Sequence, residues 1–269
     1  RRSTLVKLIH AELTYVIRGV LFDVHNQLGP GLPEDFYEEA TEIGLRHEGV
    51  SCTRQEEWVV LYRGLKAGRF FTDLFADRKA VLELKATPEL TPLHRAQILS
   101  YLKVTGADLG LLVNFGAGSL QVERFPNFLA SSAEPFHWET LLPADERLLY
   151  PELIGRLYKA LYRVHWELGP GFRHPVYRRA SGIECRFVGL HVEYLHDYDV
   201  HYHDHYLGKR PCRLLRVENR VLVAAVAFKE ITDAERTRLK VHLRRLDLKL
   251  GFIANFHDAR LHIEPIRIA

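Results

Sequence analysis

Two short runs of sequence, Phe71-Thr72-Asp73 and Ala80-Val81-Leu82-Glu83-Leu84-Lys85, decide how this chain folds. They flank Asp77-Arg78-Lys79, a turn-forming segment that predicts a hairpin between two strands. The apolar positions in the two runs predict four buried side chains: Phe71, Val81, Leu82 and Leu84.

Three charged residues, Asp73, Glu83 and Lys85, lie within or beside these apolar strands. Burying a charge costs several kcal/mol unless it is paired or bound to a metal. Glu83 and Lys85 are two residues apart and share one face of a strand, where Asp73 on the neighbouring strand can join them. Two carboxylates and an ammonium group suit a hard divalent cation with an activated water. The alternative is a surface salt bridge at a strand end.

The chain has 269 residues, of which 47% are hydrophobic and 26% charged, as in a globular protein of one large or two ordinary domains. No run of about 18 apolar residues is present, which argues against a membrane span. The first residues lack the apolar core of a signal peptide. The three cysteines, Cys52, Cys185 and Cys212, are too scattered for a disulfide framework, and a reducing cytoplasm is expected.

An internal repeat relates the two halves of the chain. Residues 22–40 and 162–180 share the frame V-H-x-x-L-G-P-G, and Tyr37 matches Tyr177 at an offset of 140. An Asn-Phe pair recurs at 114–115 and 255–256. The chain therefore contains two copies of one fold.

Each copy is predicted to contain helices, three strands, a helix and two strands. The predicted boundaries are a first domain at 1–126, a linker at 127–144 and a second domain at 145–269. Thr91 and Pro92 predict the start of a helix in the first copy. Residues 232–235 form a capping box that predicts a helix running to about Leu250 in the second copy.

The segment Gly31-Leu32-Pro33-Glu34-Asp35-Phe36-Tyr37 matches the signature of the GxxExxY-motif proteins. The chain resembles the PD-(D/E)XK nuclease superfamily, closest to its RecB-like branch, over about residues 10–125 of the first copy. Several residues carry this resemblance in order: Glu34, Asp73, Glu83-Leu84-Lys85, Gln97 and Tyr101. The resemblance implies an α/β protein with two tandem restriction-endonuclease-like αβββαβ domains, each a central mixed sheet flanked by helices.

The resemblance also implies roles for the site residues. Asp73 and Glu83 would hold Mg²⁺ or Mn²⁺, which prefer oxygen ligands. Lys85 would position the attacking water or stabilise the developing negative charge. His25 would be a third metal ligand, and Glu34 would supply another carboxylate.

Gln97 and Tyr101, four residues apart on one helix face, would contact the substrate backbone. Structural alternatives exist for three positions. His25 can cap the end of its helix, and Glu34 can stabilise a helix dipole. Tyr37 is expected to serve in packing, since it recurs as a tyrosine in the second copy.

The second copy lacks the proposed site. The repeat aligns six positions as follows: Glu34 with His174, Asp73 with Arg213 or Leu214, Glu83 with Ala224, Lys85 with Val226, Gln97 with Arg238, and Tyr101 with His242. Since every metal-binding carboxylate is replaced, this copy is predicted to be catalytically inactive.

The charge differs between the halves: residues 1–140 carry a net −3 and residues 141–269 a net +6. Arg213, Arg238 and Arg244 are predicted to bind phosphates of a nucleic acid. A solvated basic face is the alternative. The His201-Tyr202-His203-Asp204-His205 run has no distant ligand to complete a zinc site and is left out.

The sequence therefore predicts a metal-dependent nuclease, with DNA a better substrate than RNA. The first copy would hydrolyse phosphodiester bonds, and the second would bind substrate or act as an intramolecular dimer partner. Whether a protein partner takes part stays open. The alternative is a non-catalytic nucleic-acid-binding or scaffold protein that keeps a vestigial nuclease site.

Overall fold

The structure, a computed structural model, describes residues 9–127 and 149–268. Two compact units make up these residues, and the short segment Val60–Gly68 groups with the second unit although it belongs to the first half of the sequence. Except for Asn127, the predicted linker at 127–144 lies outside the described residues.

The first repeat contains two helices, three strands, a helix and two strands, and all but residues 60–68 of it belongs to the first unit. These are α1 (Ala11–Leu28), α2 (Glu34–His47), β1 (Cys52–Tyr62), β2 (Leu65–Ala76), β3 (Ala80–Lys85), α3 (Pro92–Thr105), β4 (Leu109–Asn114) and β5 (Gln121–Pro126). The sheet order is β1-β2-β3-β4-β5. Strands β3 and β4 are parallel, joined through α3, while β2–β3 and β4–β5 are antiparallel.

The predicted hairpin between β2 and β3 is confirmed. Asp77 and Arg78 adopt left-handed φ values of 48° and 56°. The Lys79 N–H donates to the Ala76 carbonyl at 2.9 Å, which closes a two-residue turn. Positive φ at both central residues matches the twist of the flanking strands.

Helices cover both faces of this sheet. The α1 and α2 core contains Leu82 and Leu84, whereas Val81 packs with the α3 residues Ile98 and Leu102. Because strand side chains alternate, Glu83 and Lys85 share the face of Val81, under α3. The strand is buried from both sides, and so Glu83 is only 2% exposed.

The expected burial of Phe71 is wrong: its side chain is 40% exposed, while Phe70 is 7% exposed. Strand β2 pairs with β3 only over residues 74–76. Phe70 and Thr72, which also lie beyond this pairing, are buried on the other face of β2. Phe71 is exposed because its side chain lies on the opposite face.

The second unit repeats the element order. It contains α4 (Pro151–Leu168), α5 (His174–Phe187), β6 (Val192–Tyr202), β7 (His205–Val217), β8 (Val221–Val226), α6 (Asp233–Arg245), β9 (Leu250–Asn255) and β10 (His262–Arg267). Its sheet order is β10-β9-β8-β7-β6, again with one parallel pair, β8–β9. The predicted fold class is confirmed: two tandem α/β domains, each a five-stranded mixed sheet flanked by helices.

Helix α6 is shorter than predicted, ending at Arg245 instead of near Leu250. Asp247 has a left-handed φ of 52°, which is incompatible with continued helix. Leu250 already pairs with Val221 as the first residue of β9.

The tyrosine shared by the repeats fixes the glycine-rich turn after the first helix. In the first unit the Tyr37 ring stacks on Phe115 with centroids 4.5 Å apart. Its hydroxyl donates to the Gly29 carbonyl at 2.7 Å and accepts from the Leu32 N–H at 3.1 Å.

The second unit reproduces this arrangement. Tyr177 stacks on Phe256 at 4.6 Å, and its hydroxyl bonds the Gly169 carbonyl at 2.8 Å and the Phe172 N–H at 3.1 Å. The tyrosine thus has the packing role expected from its recurrence.

Replacing Tyr37 by Phe should lower the free energy of unfolding by about 1–3 kcal/mol, because two backbone groups lose a buried partner. Urea unfolding followed by circular dichroism measures the change. Tyr15→Phe, at a side chain 82% exposed, is the matched control and should be neutral. Equal midpoints for the two variants would show that the hydroxyl bonds contribute nothing.

Candidate active site

Asp73 lies where β2 separates from β3. The last paired residues are Leu74 and Leu82, and extending that register by one residue places Asp73 opposite Glu83. The Asp73 Oδ2 accepts a hydrogen bond from the Leu84 N–H at 2.7 Å. The Asp73 side chain thus takes the place of a β2 backbone carbonyl as hydrogen-bond acceptor for β3. This bond holds the carboxylate beside Glu83.

Glu83 is the centre of a hydrogen-bonded cluster. Its Oε1 accepts from Lys85 Nζ at 2.6 Å and from Gln97 Nε2 at 2.7 Å. Gln97 Nε2 also donates to the Tyr101 hydroxyl at 2.9 Å. The other oxygen, Glu83 Oε2, is buried and has no hydrogen-bond partner among the described residues.

The electrostatics show an excess of buried negative charge. Burial and the nearby Glu83 raise the pKa of Asp73 well above its usual value. Burial also raises the pKa of Glu83, although Lys85 opposes this change. Burial alone would lower the pKa of Lys85, but the charges of Glu83, Asp73 and Glu34 outweigh it and raise that pKa. One ammonium group therefore does not balance the carboxylates around it.

Glu34 approaches the same cluster from the first turn of α2. Its Oε1 accepts a hydrogen bond from the Ala86 N–H, directly after β3, at 3.2 Å. One turn later, Glu38 is buried and accepts from Gln55 Nε2 at 2.8 Å. Burial raises the pKa of Glu38, with Glu34 also contributing.

Glu38 was missed from the sequence. It lies four residues after Glu34 and so on the same helix face. Its counterpart in the repeat, at the offset of 140, is Arg178. The change from Glu38 in the first copy to Arg178 in the second could have identified this position from the sequence, because the other site positions also lose their carboxylates in the second copy.

Hydrogen bonds join four of the predicted residues directly: Glu83, Lys85, Gln97 and Tyr101. Asp73 and Glu34 reach the same place through the backbone N–H groups of Leu84 and Ala86, and His25 lies apart. The His25 ring lies 6.4 Å from the Phe115 ring, and its Nε2 is buried with no hydrogen-bond partner among the described residues. The described contacts do not join it to Asp73 or Glu83. In the second copy, His165 lies similarly beside Phe256, at 6.1 Å.

The fit of a divalent cation rests on the carboxylates. Within residues 9–127 and 149–268, no group of three or more His, Cys, Asp and Glu side chains is arranged to hold a metal ion. Mg²⁺, however, is commonly held by only one or two carboxylates together with waters and phosphate oxygens. Asp73 and the unpartnered Oε2 of Glu83 meet that requirement.

The strand registers show what replaces the site in the second copy. Leu215 pairs with Val223 as Leu74 pairs with Leu82, which aligns Asp73 with Leu214. The same register aligns Glu83 with Ala224 and Lys85 with Val226. The ambiguity between Arg213 and Leu214 is thereby resolved.

Two of the three predicted phosphate-binding arginines line a cavity, and the third lies outside it. Arg213 and Arg238 line a cavity of the second unit. Arg244, near the end of α6, is exposed and does not line this cavity.

A model of the PD-(D/E)XK nuclease superfamily matches residues 11–125 and residues 151–268. The chain belongs to the PD-(D/E)XK nuclease superfamily. Its two matched segments coincide with the two repeats. Membership indicates a nuclease-type function, since enzymes of this superfamily are generally phosphodiesterases that use divalent metals. No curated protein and no solved structure shows significant similarity to the chain.

No helix among the described residues is long and apolar enough to cross a membrane.

The charge excess predicts that Asp73→Asn stabilises the metal-free protein by about 1–2 kcal/mol at neutral pH. A raised folded-state pKa means that ionised Asp73 opposes folding at neutral pH. The gain should vanish in acid, where Asp73 is protonated in both states.

Thermal unfolding in a chelator tests this change. The control, Asp35→Asn, removes an exposed carboxylate from the first turn of α2 and should destabilise slightly through the helix dipole. Destabilisation by Asp73→Asn as well would contradict the charge excess, because asparagine keeps an oxygen that can accept from the Leu84 N–H and loses only the negative charge.

Proposed function

We propose that the protein is a metal-dependent nuclease that hydrolyses phosphodiester bonds of DNA in its first copy. The observation that carries this proposal is the pair of carboxylates formed by the buried Glu83 and the half-buried Asp73, whose negative charge Lys85 does not balance. Superfamily membership gives the reaction class. Bound Mg²⁺ or Mn²⁺ would polarise the scissile phosphate and lower the pKa of the attacking water.

The residues of the chain divide the remaining tasks. Asp73 and Glu83 hold the cation, with Glu34 facing the same edge of the sheet. Lys85 Nζ, 2.6 Å from Glu83, lies where it can donate to a phosphate oxygen or to the attacking water. Its positive charge then stabilises the negative charge that develops during hydrolysis.

Gln97 and Tyr101 hold Glu83 in place from α3. Gln97 donates to Glu83, and the Tyr101 ring stacks on Phe70 with centroids 4.4 Å apart. These contacts support a positioning role for both residues, beside the substrate contact inferred from the resemblance. His25 is proposed as a further metal ligand from the resemblance, and its buried Nε2 has no hydrogen-bond partner among the described residues.

The nuclease proposal predicts that Lys85→Ala lowers the cleavage rate by about 100-fold or more, through loss of charge stabilisation. Asp73→Asn should abolish metal-dependent cleavage. Labelled single-stranded DNA, double-stranded DNA and RNA are incubated with Mg²⁺ or Mn²⁺, and the products are separated by size.

Asp35→Asn is the matched control and should cleave like the wild type. Cleavage that is equal in all variants would come from a contaminant. If the protein binds nucleic acid but never cleaves it, the alternative holds, a non-catalytic scaffold with a vestigial nuclease site. The Lys85–Glu83 ion pair would then have only a structural role.

The second copy is proposed to bind the nucleic acid through its basic surface. Reversing Arg238 and Arg244 to Glu should weaken DNA binding and reduce the slope of log affinity against log salt by about 1 per lost phosphate contact. Fluorescence anisotropy at several salt concentrations measures both quantities. Arg260→Glu, an exposed residue between β9 and β10, is the control. An unchanged slope in the double variant would remove the second copy as the binding surface.

A further inference from the structure

The cavity of the second unit occupies the place of the lost active site. It has a volume of about 260 Å³ and is lined by the counterparts of the first copy's site residues. These include His174, Leu214, Ala224, Val226 and Arg238. The cavity therefore corresponds in position to the candidate active site of the first copy, but different side chains line it.

The charge of this cleft is inverted. Arg178, Arg213 and Arg238 line it, against a single carboxylate, Glu235. That carboxylate already accepts a hydrogen bond from the Thr232 N–H, as part of the capping box of α6. The lining thus carries a net charge near +2, which matches a phosphate monoester at neutral pH, with a charge of about −1.5 to −2.

Arg213 lines the cavity because its backbone departs from the regular strand conformation. Successive side chains of a strand point to opposite faces, yet Arg213 and Leu214 both line the cavity. Arg213 has a left-handed φ of 54°, which breaks the alternation. Such a backbone is strained for a residue other than glycine and persists only where its surroundings enforce it.

The arginines of the cavity lie close enough to repel one another. Arg178 Nη1 donates to the Arg213 carbonyl at 3.4 Å. Burial, followed by the charges of Arg213 and Arg179, lowers the pKa of Arg178. A bound anion would relieve this repulsion.

His174 supplies a neutral donor to the same space. Its Nδ1 accepts a hydrogen bond from the Ala227 N–H at 2.8 Å, as Glu34 accepts from the Ala86 N–H in the first copy. The Nδ1 lone pair is therefore occupied, and the proton of the neutral ring lies on Nε2. An imidazole N–H replaces a carboxylate, so that a donor stands where the first copy has an acceptor.

The rest of the wall is apolar and suits an organic group attached to the phosphate. Val226, Phe228, Leu239 and Ile253 line the cavity, and the Phe228 ring lies edge-on to His174 at 4.8 Å. A volume of about 260 Å³ approaches the lower end of small-ligand pockets. It has room for more than inorganic phosphate alone.

We propose that this cleft binds the phosphate of a nucleotide, with Arg178, Arg213 and Arg238 on the phosphate and the Phe228 side of the wall against the sugar or base. The phosphate pocket stands on its own geometry, whereas the choice of a nucleotide rests on the proposed function. The nucleotide is either free or the phosphorylated end of a strand.

The test uses the full chain carrying Asp73→Asn, so that cleavage cannot consume a probe. Isothermal titration compares adenosine 5′-monophosphate, adenosine and inorganic phosphate. The monophosphate should bind at least tenfold more tightly than either of the others. Equal binding of adenosine and its monophosphate would overturn the proposal.

Two variants separate the pocket from general basic charge. Arg178→Gln should weaken binding of the monophosphate at least tenfold, and Ala224→Leu should do so by filling the cavity without changing its charge. Arg260→Gln, outside the cavity, should have no effect. Circular dichroism confirms folding in each case. Unchanged affinity in both pocket variants would contradict the assignment, whatever the outcome of the cleavage assays.

A competition assay distinguishes the two sources of the ligand. A 5′-phosphorylated oligonucleotide that displaces the monophosphate better than its 5′-hydroxyl form would identify a strand end. Displacement by neither oligonucleotide would identify a free nucleotide.

Discussion

The candidate site of the first copy depends on one unfavourable arrangement, the juxtaposition of Asp73 and Glu83 at the point where β2 leaves β3. Burial under the helix raises the pKa of both carboxyls; the charge of Glu83 adds to the rise for Asp73, and the charges of Glu34 and Glu38 add to the rise for Glu83. The surrounding structure holds them there through the Leu84 N–H, Lys85 and Gln97. A cation bound between them would relieve the repulsion.

The second copy shows that the fold itself does not need these charges. Leu214, Ala224 and Val226 occupy the corresponding places, and the sheet keeps its order and register. What both copies retain is structural: the tyrosine that fixes the glycine turn, and an asparagine as the last residue of the fourth strand. The side chains of Asn114 and Asn255 each accept from the backbone N–H of the segment that follows the third strand of their unit.

The sequence predicted the features that follow from regular periodicity. The two-residue period of β3 placed Glu83 and Lys85 on one face, and the repeat predicted two domains of one fold. It failed where periodicity ends. Phe71 is exposed on a face of β2 that β3 no longer flanks beyond Leu74, whereas Phe70 on the other face stays buried. Arg213 enters the cavity because its φ is left-handed. Neither the extent of pairing nor a single backbone dihedral follows from the pattern of apolar residues.

The comparison of the two copies also gives the strongest reason to regard the first site as functional. Buried carboxylates oppose folding unless something compensates them, and the same fold forms in this chain with apolar side chains in their place. If stability alone mattered, apolar side chains like those of the second copy would be favoured at these positions in both copies. The retention of Asp73 and Glu83 together, with Lys85 on the same face and an oxygen of Glu83 left unpartnered among the described residues, requires a benefit other than stability. In the proposed nuclease, binding a divalent cation at the edge of the sheet would supply that benefit.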